Sequence, residues 1–475
     1  MAMEASMEDK VDHGYATAIN PPPTRSSRLH QTSKIVALII ALWVFLNASR
    51  LYGYASLVSE EGLFLHNNND IVLSSAESLL KSYNRPKPQY TFCDYTDGSI
   101  KIATEFNITD GFHFLDLSPP QDARGRIKVQ RGSDAQIADV EVSVTVAYAS
   151  PDLPVVSSGF DARTSTMRLS YMSTKCVQVS VELSLRPDVS KGLRNFSMNT
   201  QMLDLWWMYS TTWTIDNLLL HSSHGQIDFE GSLQSEPLIT HNVSVSSVTG
   251  VVSGDYVADA NLHFRNEAGP IFIILVPRIY SNVPMALERI DASTDSGMLD
   301  IRILAEQMEL WPLEPYTHTT QIRSESGPIR ASVPLGTLTN YTSEKGNIAA
   351  TVVPVGSASG DASKDFRTES NQGNMYVHVY NTLQESMKDG RFDPLLSLRS
   401  RHQIRNGTMT VRYPYSWYGE LEGVASDGSL KLDGSRLKDV QKGENWVKAT
   451  RGEGMSFMES WVHHGDLDIK VGLGP

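Results

Sequence analysis

The sequence predicts an all-β fold: a β-solenoid or β-roll-like repeat domain, preceded by one N-terminal transmembrane helix. Three observations lead to this prediction. One apolar segment lies near the N-terminus, strand-like alternation of apolar and polar residues follows it, and a polar–glycine–strand motif recurs through the second half. Recurrence at about 20–30 residues is typical of solenoids, in which each rung buries its apolar face against the next.

The first 58 residues predict a tail and a membrane anchor. Residues 1–34 are polar, contain the stretch NPPPTRSSR, and are typical of a disordered cytosolic tail. The stretch Ile35–Leu46 is apolar throughout but shorter than the roughly 20 residues that cross a bilayer as a helix. Counting on to Val58 gives enough length if Arg50 extends its charge to the interface. Residues 35–58 are therefore predicted to be the transmembrane helix.

The charges beside this segment predict its orientation. Arg25, Arg28 and Lys34 precede it, and acidic residues follow it. Because basic residues stay on the cytosolic side, residues 59–475 are expected to be extracellular or lumenal, as in a type II single-pass protein with a signal-anchor. The alternative is a signal peptide cleaved near Ala55, which would release the same part of the chain as a secreted protein.

An exported chain makes glycosylation and disulfide formation relevant. Asn47 carries the glycosylation triplet but lies inside the apolar segment, so it is expected to remain bare. Cys93 and Cys176 can form one disulfide in an oxidising compartment, but nothing in the sequence brings them together, and the pairing stays open. The predicted glycoprotein acceptors are Asn107, Asn195, Asn242, Asn340 and Asn406.

A stalk and a first β-rich module are predicted next. Residues 59–90 form the stalk, and from 91 to 215 runs such as EVSVTVAY and CVQVSVELSL alternate with a period of two, which is typical of strands buried on one face. The module ends in a cluster of aromatic residues. Such a cluster either forms core between two modules or offers a platform for a sugar ring. Its members are Trp206, Trp207, Tyr209 and Trp213.

The repeat domain is predicted to span residues 216–475, with an insertion at about 381–405. Its glycines are 19 to 30 residues apart as far as Gly373 and more widely spaced afterwards. Glycine at each turn would supply a positive φ or a close backbone approach, and the strand that follows would bury one face. The alternative is a set of antiparallel β-sandwich modules with glycine turns. The motif glycines are Gly225, Gly250, Gly269, Gly297, Gly327, Gly346, Gly373, Gly428 and Gly465.

The repeats carry a resemblance to known proteins. The segments SESGPIRA, SEKGNIAA, SDGSLKL and HHGDLDIKV resemble an adhesin-like repeat of bacterial and fungal proteins, in which a polar pair, a glycine and a short strand recur along a stack. The whole plan is similar to an uncharacterised family of fungal single-pass membrane proteins. The resemblance implies a β-helix-like surface domain, and it brings no catalytic residues.

The sequence contains no motif of a known catalytic site. G-x-S-x-G, the P-loop, H-E-x-x-H and C-x-x-C are all absent, so no cofactor or metal is expected. His463 and His464 are adjacent and would point to opposite faces of a strand. A net charge of −13 disfavours a nucleic-acid partner. Catalytic carboxylate pairs, Asp295 with Asp300 or Glu420 with Glu422, are the basis of an alternative, a polysaccharide-active enzyme of β-helical build.

The strongest candidate for a binding surface is the run VRYPYSWYGELEG. Tyr413, Tyr415 and Trp417 alternate in it, so in a strand their rings would line one face that grips a polysaccharide or a protein. The alternative is that this face packs under the insertion. The sequence thus favours a non-enzymatic, membrane-anchored adhesin-like protein that binds cell-wall polysaccharide or a surface protein. An accessory protein of the secretory pathway is a further alternative.

Overall fold

The computed structural model describes the β-rich part of the chain. The chain divides into two units, and all described residues belong to Arg85–Gly474, whereas the unit made of residues 1–84 and Pro475 lies outside them. Cys93 and Cys176 also lie outside. The described ranges are 98–107, 114–118, 124–148, 155–161, 166–172, 177–187, 192–208, 213–230, 239–258, 261–276, 287–303, 317–354, 363–381 and 395–472.

The described residues form strands and turns and contain no α-helix. In these ranges no helix is long and apolar enough to span a membrane, and the predicted span 35–58 is not among them.

The strands are numbered here in chain order. The first sixteen are β1 (Gly98–Phe106), β2 (Phe114–Ser118), β3 (Arg124–Arg131), β4 (Val140–Tyr148), β5 (Val155–Asp161), β6 (Thr166–Met172), β7 (Val177–Leu185), β8 (Gly192–Thr200), β9 (Leu203–Met208), β10 (Thr214–Ser222), β11 (Ile227–Glu230), β12 (Ile239–Ser247), β13 (Val252–Val257), β14 (Asn261–Asn266), β15 (Ile271–Val276) and β16 (Arg289–Thr294). The others are β17 (Leu299–Ile303), β18 (Thr319–Ser324), β19 (Ile329–Pro334), β20 (Leu338–Ser343), β21 (Ile348–Val353), β22 (Lys364–Gln372), β23 (Met375–Val379), β24 (Leu398–Asn406), β25 (Met409–Tyr413), β26 (Gly419–Asp427), β27 (Leu430–Gly434), β28 (Leu437–Lys442), β29 (Trp446–Arg451), β30 (Ser456–His464) and β31 (Leu467–Val471).

These strands build two long sheets that are mainly parallel. The first sheet has the order β1-β4-β7-β3-β9-β11-β13-β15-β17-β19-β21-β23-β25-β31-β27, and the second has the order β28-β29-β26-β30-β24-β22-β20-β18-β16-β14-β12-β10-β8-β2-β6-β5. From β8 to β25 successive strands alternate between the sheets, and each strand from β8 to β23 pairs in parallel with the strand two places later. The described fold is thus all-β and consistent with a solenoid-like roll. Antiparallel pairing of β1, β4 and β7, of β5 with β6, and of β26, β29 and β28 occurs near the two ends of the stack.

The core lies between the two sheets because alternate side chains of each strand point inwards. In β18, Thr320, Ile322 and Ser324 are buried, whereas Arg323 is exposed. Aromatic rings follow one another through this core, for example Phe196 and Trp207 with centroids 5.1 Å apart. Complete burial of one such side chain stabilises the fold by about 1.5–3 kcal/mol, so the repeated inward face is the main stabilising feature.

The motif glycines form one continuous column along the roll. A Cβ added to Gly250 would overlap the carbonyl oxygen of Gly225, and the same holds at each later step through Gly269, Gly297, Gly327, Gly346, Gly373, Gly407, Gly465 and Gly428. The polar residue three positions earlier supports the turn: the Gly346 N–H donates to Ser343 Oγ at 2.8 Å. These positions therefore require glycine because the backbones approach closely. A positive φ is a second reason only at Gly373, Gly407, Gly465 and Gly428.

The sequence analysis missed one member of this column. Gly407 stacks on Gly373, and its strand β24 begins at Leu398, inside the segment 381–405 that was expected to be an insertion. The segment therefore contributes a strand of the second sheet, and residues 382–394 lie outside the described residues.

The last strands do not stack in chain order. β31 lies between β25 and β27 in the first sheet, and β30 lies between β24 and β26 in the second. The rung of residues 456–471 thus lies between the rung of β24 and β25 and the rung of β26 and β27, although it follows both in the chain.

Candidate ligand-binding site on the outer face of the first sheet

The run with Tyr413, Tyr415 and Trp417 does not form one outward face. β25 ends at Tyr413, and the chain then turns. Tyr413 and Trp417 are 3% and 0% exposed, and the Tyr413 hydroxyl lies 2.9 Å from His402 Nε2 in the core. Among the three, only Tyr415 is exposed, at 39%. The expectation of a ligand-gripping ribbon here is wrong because the strand ends before the second ring.

The aromatic cluster near residue 210 is also mostly core. Trp207 and Trp213 are buried, and Tyr209 lies outside the described residues. Trp206 points outwards, where the guanidinium carbon of Arg126 lies 5.6 Å from the centre of its ring. A single outward ring beside a cation is a small contact surface, so the cluster does not build the extended sugar platform.

An outward row of aromatic rings occurs instead on β23 and on Tyr380, the residue directly after it. Tyr376, His378 and Tyr380 alternate with buried valines and are partly exposed. The ring centroids of Tyr376 and His378 are 6.2 Å apart, and those of His378 and Tyr380 are 4.8 Å apart in a stacked arrangement. Residues i and i+4 of a strand are about 13 Å apart, so the row is long enough to follow a chain-like ligand.

Small side chains lie beside this row and make a shallow groove. In register, Ala349 of β21 lies next to Tyr376, and Thr351 lies next to His378. Arg330 and Ser332 of β19 lie on the other side of the same two residues. Because neighbouring strands are about 4.8 Å apart, the two sides of the groove are about 9.5 Å apart. We call this feature the outer groove: its floor is Ala349 and Thr351.

Arginine and burial set the electrostatics of the groove. The guanidinium carbon of Arg412 on β25 lies 5.9 Å from the centre of the Tyr376 ring. Burial, and then the positive charge of Arg412, lower the pKa of His378 to about 4. Burial also raises the pKa of Tyr376 and that of Tyr380. At neutral pH all three rings are therefore uncharged, and they offer apolar faces with polar edges.

In each carboxylate pair named in the sequence analysis, one member is fixed in an ion pair. Asp295 lies in the turn after β16, whereas Asp300 is on β17 and is held by the guanidinium of Arg302. Glu420 and Glu422 share the outer face of β26, but Glu422 is paired with a lysine, Lys448, at 3.1 Å. Carboxylates fixed in ion pairs are poorly suited to general acid and base chemistry.

The described residues contain no group of three His, Cys, Asp or Glu side chains that would hold a metal ion. His464 is exposed on β30, with its Nδ1 3.2 Å from an Asp427 carboxylate oxygen.

The predicted glycan acceptors lie on outward positions. Asn107, Asn242 and Asn406 are exposed, while Asn195 and Asn340 are partly exposed. Glycosylation of these residues stays a prediction.

Two of the acceptors belong to a ladder of asparagine side chains on the second sheet. Asn217 Nδ2 donates to Asn195 Oδ1 at 2.9 Å, Asn242 Nδ2 to Asn217 Oδ1 at 2.8 Å, and Asn261 Nδ2 to Asn242 Oδ1 at 3.0 Å. Amide stacking of this kind follows directly from the parallel register of the strands.

Sequence reasoning missed the row on β23, although a signal was present. The stretch NMYVHVYN alternates aromatic and valine residues directly after the motif glycine Gly373. In a strand this pattern predicts three rings on one face. The neighbouring small residues Ala349 and Thr351 carry no such signal, because only the register of β21 against β23 brings them beside the rings.

Comparison with known proteins adds two distant structural neighbours. No family model matches the chain, and no curated protein matches it. A "putative cell adhesion protein" from Clostridium sporogenes is 8% identical, with a TM-score of 0.15 over 79% of this chain and 100% of that one. A "putative adhesin" from Bacteroides fragilis is 10% identical, with a TM-score of 0.21 over 79% and 98%. Scores this low carry no weight for the fold or function of this chain.

Proposed function

We propose that this chain is a non-enzymatic, adhesin-like protein that binds cell-wall polysaccharide in the outer groove. The observation that carries the proposal is the row of Tyr376, His378 and Tyr380 on one side of that groove. Flat aromatic faces accept the apolar C–H face of a sugar ring, and polar groups at their edges bind its hydroxyls. A shallow open groove is suited to a chain that enters and leaves at both ends.

The rest of the molecule, in this proposal, presents the groove outside the cell or in the lumen. Residues 35–58 anchor the chain in the membrane, and the basic residues before them keep the tail in the cytosol. Protease treatment of intact cells tests this arrangement, since it should remove an antibody epitope placed after Gly472 and leave one placed at the N-terminus.

Binding is tested with the full-length protein and a panel of insoluble cell-wall polysaccharides, scoring both co-sedimentation and the release of soluble sugar. The proposal expects co-sedimentation without release. Tyr376→Ala should lower the affinity about fivefold, which corresponds to roughly 1 kcal/mol for one aromatic contact. Trp461→Ala is the matched control, because Trp461 is an exposed ring on the outer face of the second sheet.

Release of soluble sugar would assign an enzyme and contradict the proposal. Absence of binding to any polysaccharide would also contradict it, and a protein partner would then become the better explanation of the exposed rings. Equal loss of polysaccharide binding in Tyr376→Ala and Trp461→Ala would show that the outer groove is not the binding site.

A further inference from the structure

Two arginine side chains lie beside the outer groove, one at its side opposite the aromatic row and one behind that row. Arg330 on β19 lies next to the floor residue Ala349, and Arg412 on β25 lies next to His378. Among the described residues, neither arginine forms an ion pair. In a chain of net charge −13, this is a local excess of positive charge beside the candidate site.

The carboxylates near these arginines are already engaged. Asp300 lies next to Arg330 in register, but it accepts hydrogen bonds from Arg302. On the other side, the Asp468 carboxylate lies 2.9 Å from Lys470 Nζ. Each of these carboxylates is thus already paired with another cation, so Arg330 and Arg412 leave an excess of positive charge on this face.

The donors of Arg412 are also not fully used by the fold. Its Nε is buried and has no hydrogen-bond partner, although its guanidinium packs over the ring of Tyr376. The contact with Tyr376, which includes a side-chain hydrogen bond, holds the guanidinium in place, and a guanidinium fork matches the two oxygens of a carboxylate.

We propose that the outer groove takes an acidic polysaccharide composed of uronate sugars. The sugar rings would lie over Ala349 and Thr351 against the aromatic row with their carboxylates facing Arg330, and sugar units that extend over the row would face Arg412. The two arginines are on strands about 14 Å apart, so they bind carboxylates of different sugar units rather than one shared group. This inference rests on the proposed function and specifies its ligand.

The matched probes are polygalacturonate and its fully methyl-esterified form, which have the same sugar ring with and without the charge. Full-length protein should bind the acidic form at least tenfold more tightly, and added salt should reduce that preference. Arg330→Gln and Arg412→Gln should each lower the preference by about tenfold. Lys345→Gln removes an exposed positive charge from a turn and should leave the preference unchanged.

The outcomes separate this inference from the function on which it rests. Equal affinity for the acidic and esterified polymers would overturn the uronate assignment and leave polysaccharide binding intact, whereas binding of neither would contradict the proposed function itself. A third probe, dextran sulfate, distinguishes carboxylate from sulfate: binding as tight as that of polygalacturonate would show a general anion surface and overturn the uronate assignment. Arg330 is exposed, so its variant remains informative even if Arg412→Gln unfolds.

Discussion

Ala349 on β21 lies directly beside Tyr376 on β23, so a single methyl group borders an outward tyrosine ring. This small neighbour keeps the floor of the outer groove low. Ala349→Leu should fill the floor and reduce polysaccharide affinity about tenfold, with little change in stability because the side chain points outwards. Binding by co-sedimentation checks the expectation.

Ser244→Leu is the control, since Ser244 is a small outward residue of the second sheet. Unchanged binding in Ala349→Leu would place the ligand elsewhere.

Trp417 is a core residue, and its replacement should act on stability rather than on ligand contact. The side chain is fully buried and meets the ring of Tyr413 edge to face, with centroids 5.5 Å apart. Trp417→Ala is expected to lower the free energy of unfolding by about 4 kcal/mol through the cavity it leaves. Tyr415→Ala, at the exposed neighbour, should cost about 1 kcal/mol or less. Urea denaturation measures both, and a similar cost for the two would contradict the burial of Trp417.

The glycine column predicts a steric effect that is independent of backbone conformation. A Cβ on Gly346 would overlap the carbonyl oxygen of Gly327, although the φ of Gly346 is not positive. Gly346→Ala should therefore destabilise the protein by about 2 kcal/mol or more. Gly192→Ala is the matched control, because a Cβ there would meet its nearest atom only at 3.9 Å. Thermal unfolding of the two variants is the measurement. If both melt at the temperature of the parent, the column is not closely stacked.

The buried imidazole of His402 predicts a loss of stability in acid. Its Nδ1 lies 2.9 Å from Thr368 Oγ1, and burial lowers its pKa from 6.5 to about 3. The unfolded chain therefore binds a proton at this residue from about pH 6.5 downwards, while the folded chain does not. Stability is complete above pH 6.5 and falls by up to about 1.4 kcal/mol per pH unit as the pH decreases towards 3.

The measurement is the free energy of unfolding of the parent and of His402→Gln between pH 7 and 4. The comparison is needed because burial raises the pKa of Asp204 to about 6, so this carboxyl stabilises the folded state as the pH falls below 6 and opposes the histidine. The parent should lose more stability with acid than the variant. Parallel pH curves would mean that His402 is protonated in the folded state.

The sequence predicts the strands and the repeat of this fold better than it predicts the site. The alternation of buried and exposed residues and the polar residue before each glycine are local features, so β18 and β19 can be read directly from TTQIRSESGPIRASV. Which strand lies next to which is not local. The segment around Gly407 was missed because its strand begins within a stretch rich in arginine, where the alternation is masked by long polar side chains.

The failed expectation for the aromatic run has the same origin. Alternation of Tyr413, Tyr415 and Trp417 predicts one face only if the strand continues, and a proline at position 414 and the turn after it end the strand. The groove at Ala349 needs three neighbouring strands in register, and residues from three separate rungs cannot be brought together from spacing alone. Side chains distant in sequence therefore have to be placed by the fold before their chemistry can be read.

The 456–471 rung lies between two rungs that precede it in the chain, and this position constrains the order in which the C-terminal rungs can form. Strand β30 must pair with β24, and Arg399 and Phe457 are opposite one another although the chain between them includes β26 and β27. A ribosome-bound chain that has emerged only to residue 450 therefore holds β26 with no parallel neighbour on which to form. Extension of the roll beyond β24 and β25 therefore requires contacts with β30 and β31, across the chain segment that holds β26 to β29. Closing such a long loop is slow because the entropy of the loop is lost before its contacts form, so this end of the roll should be the last part to become resistant to proteases during synthesis.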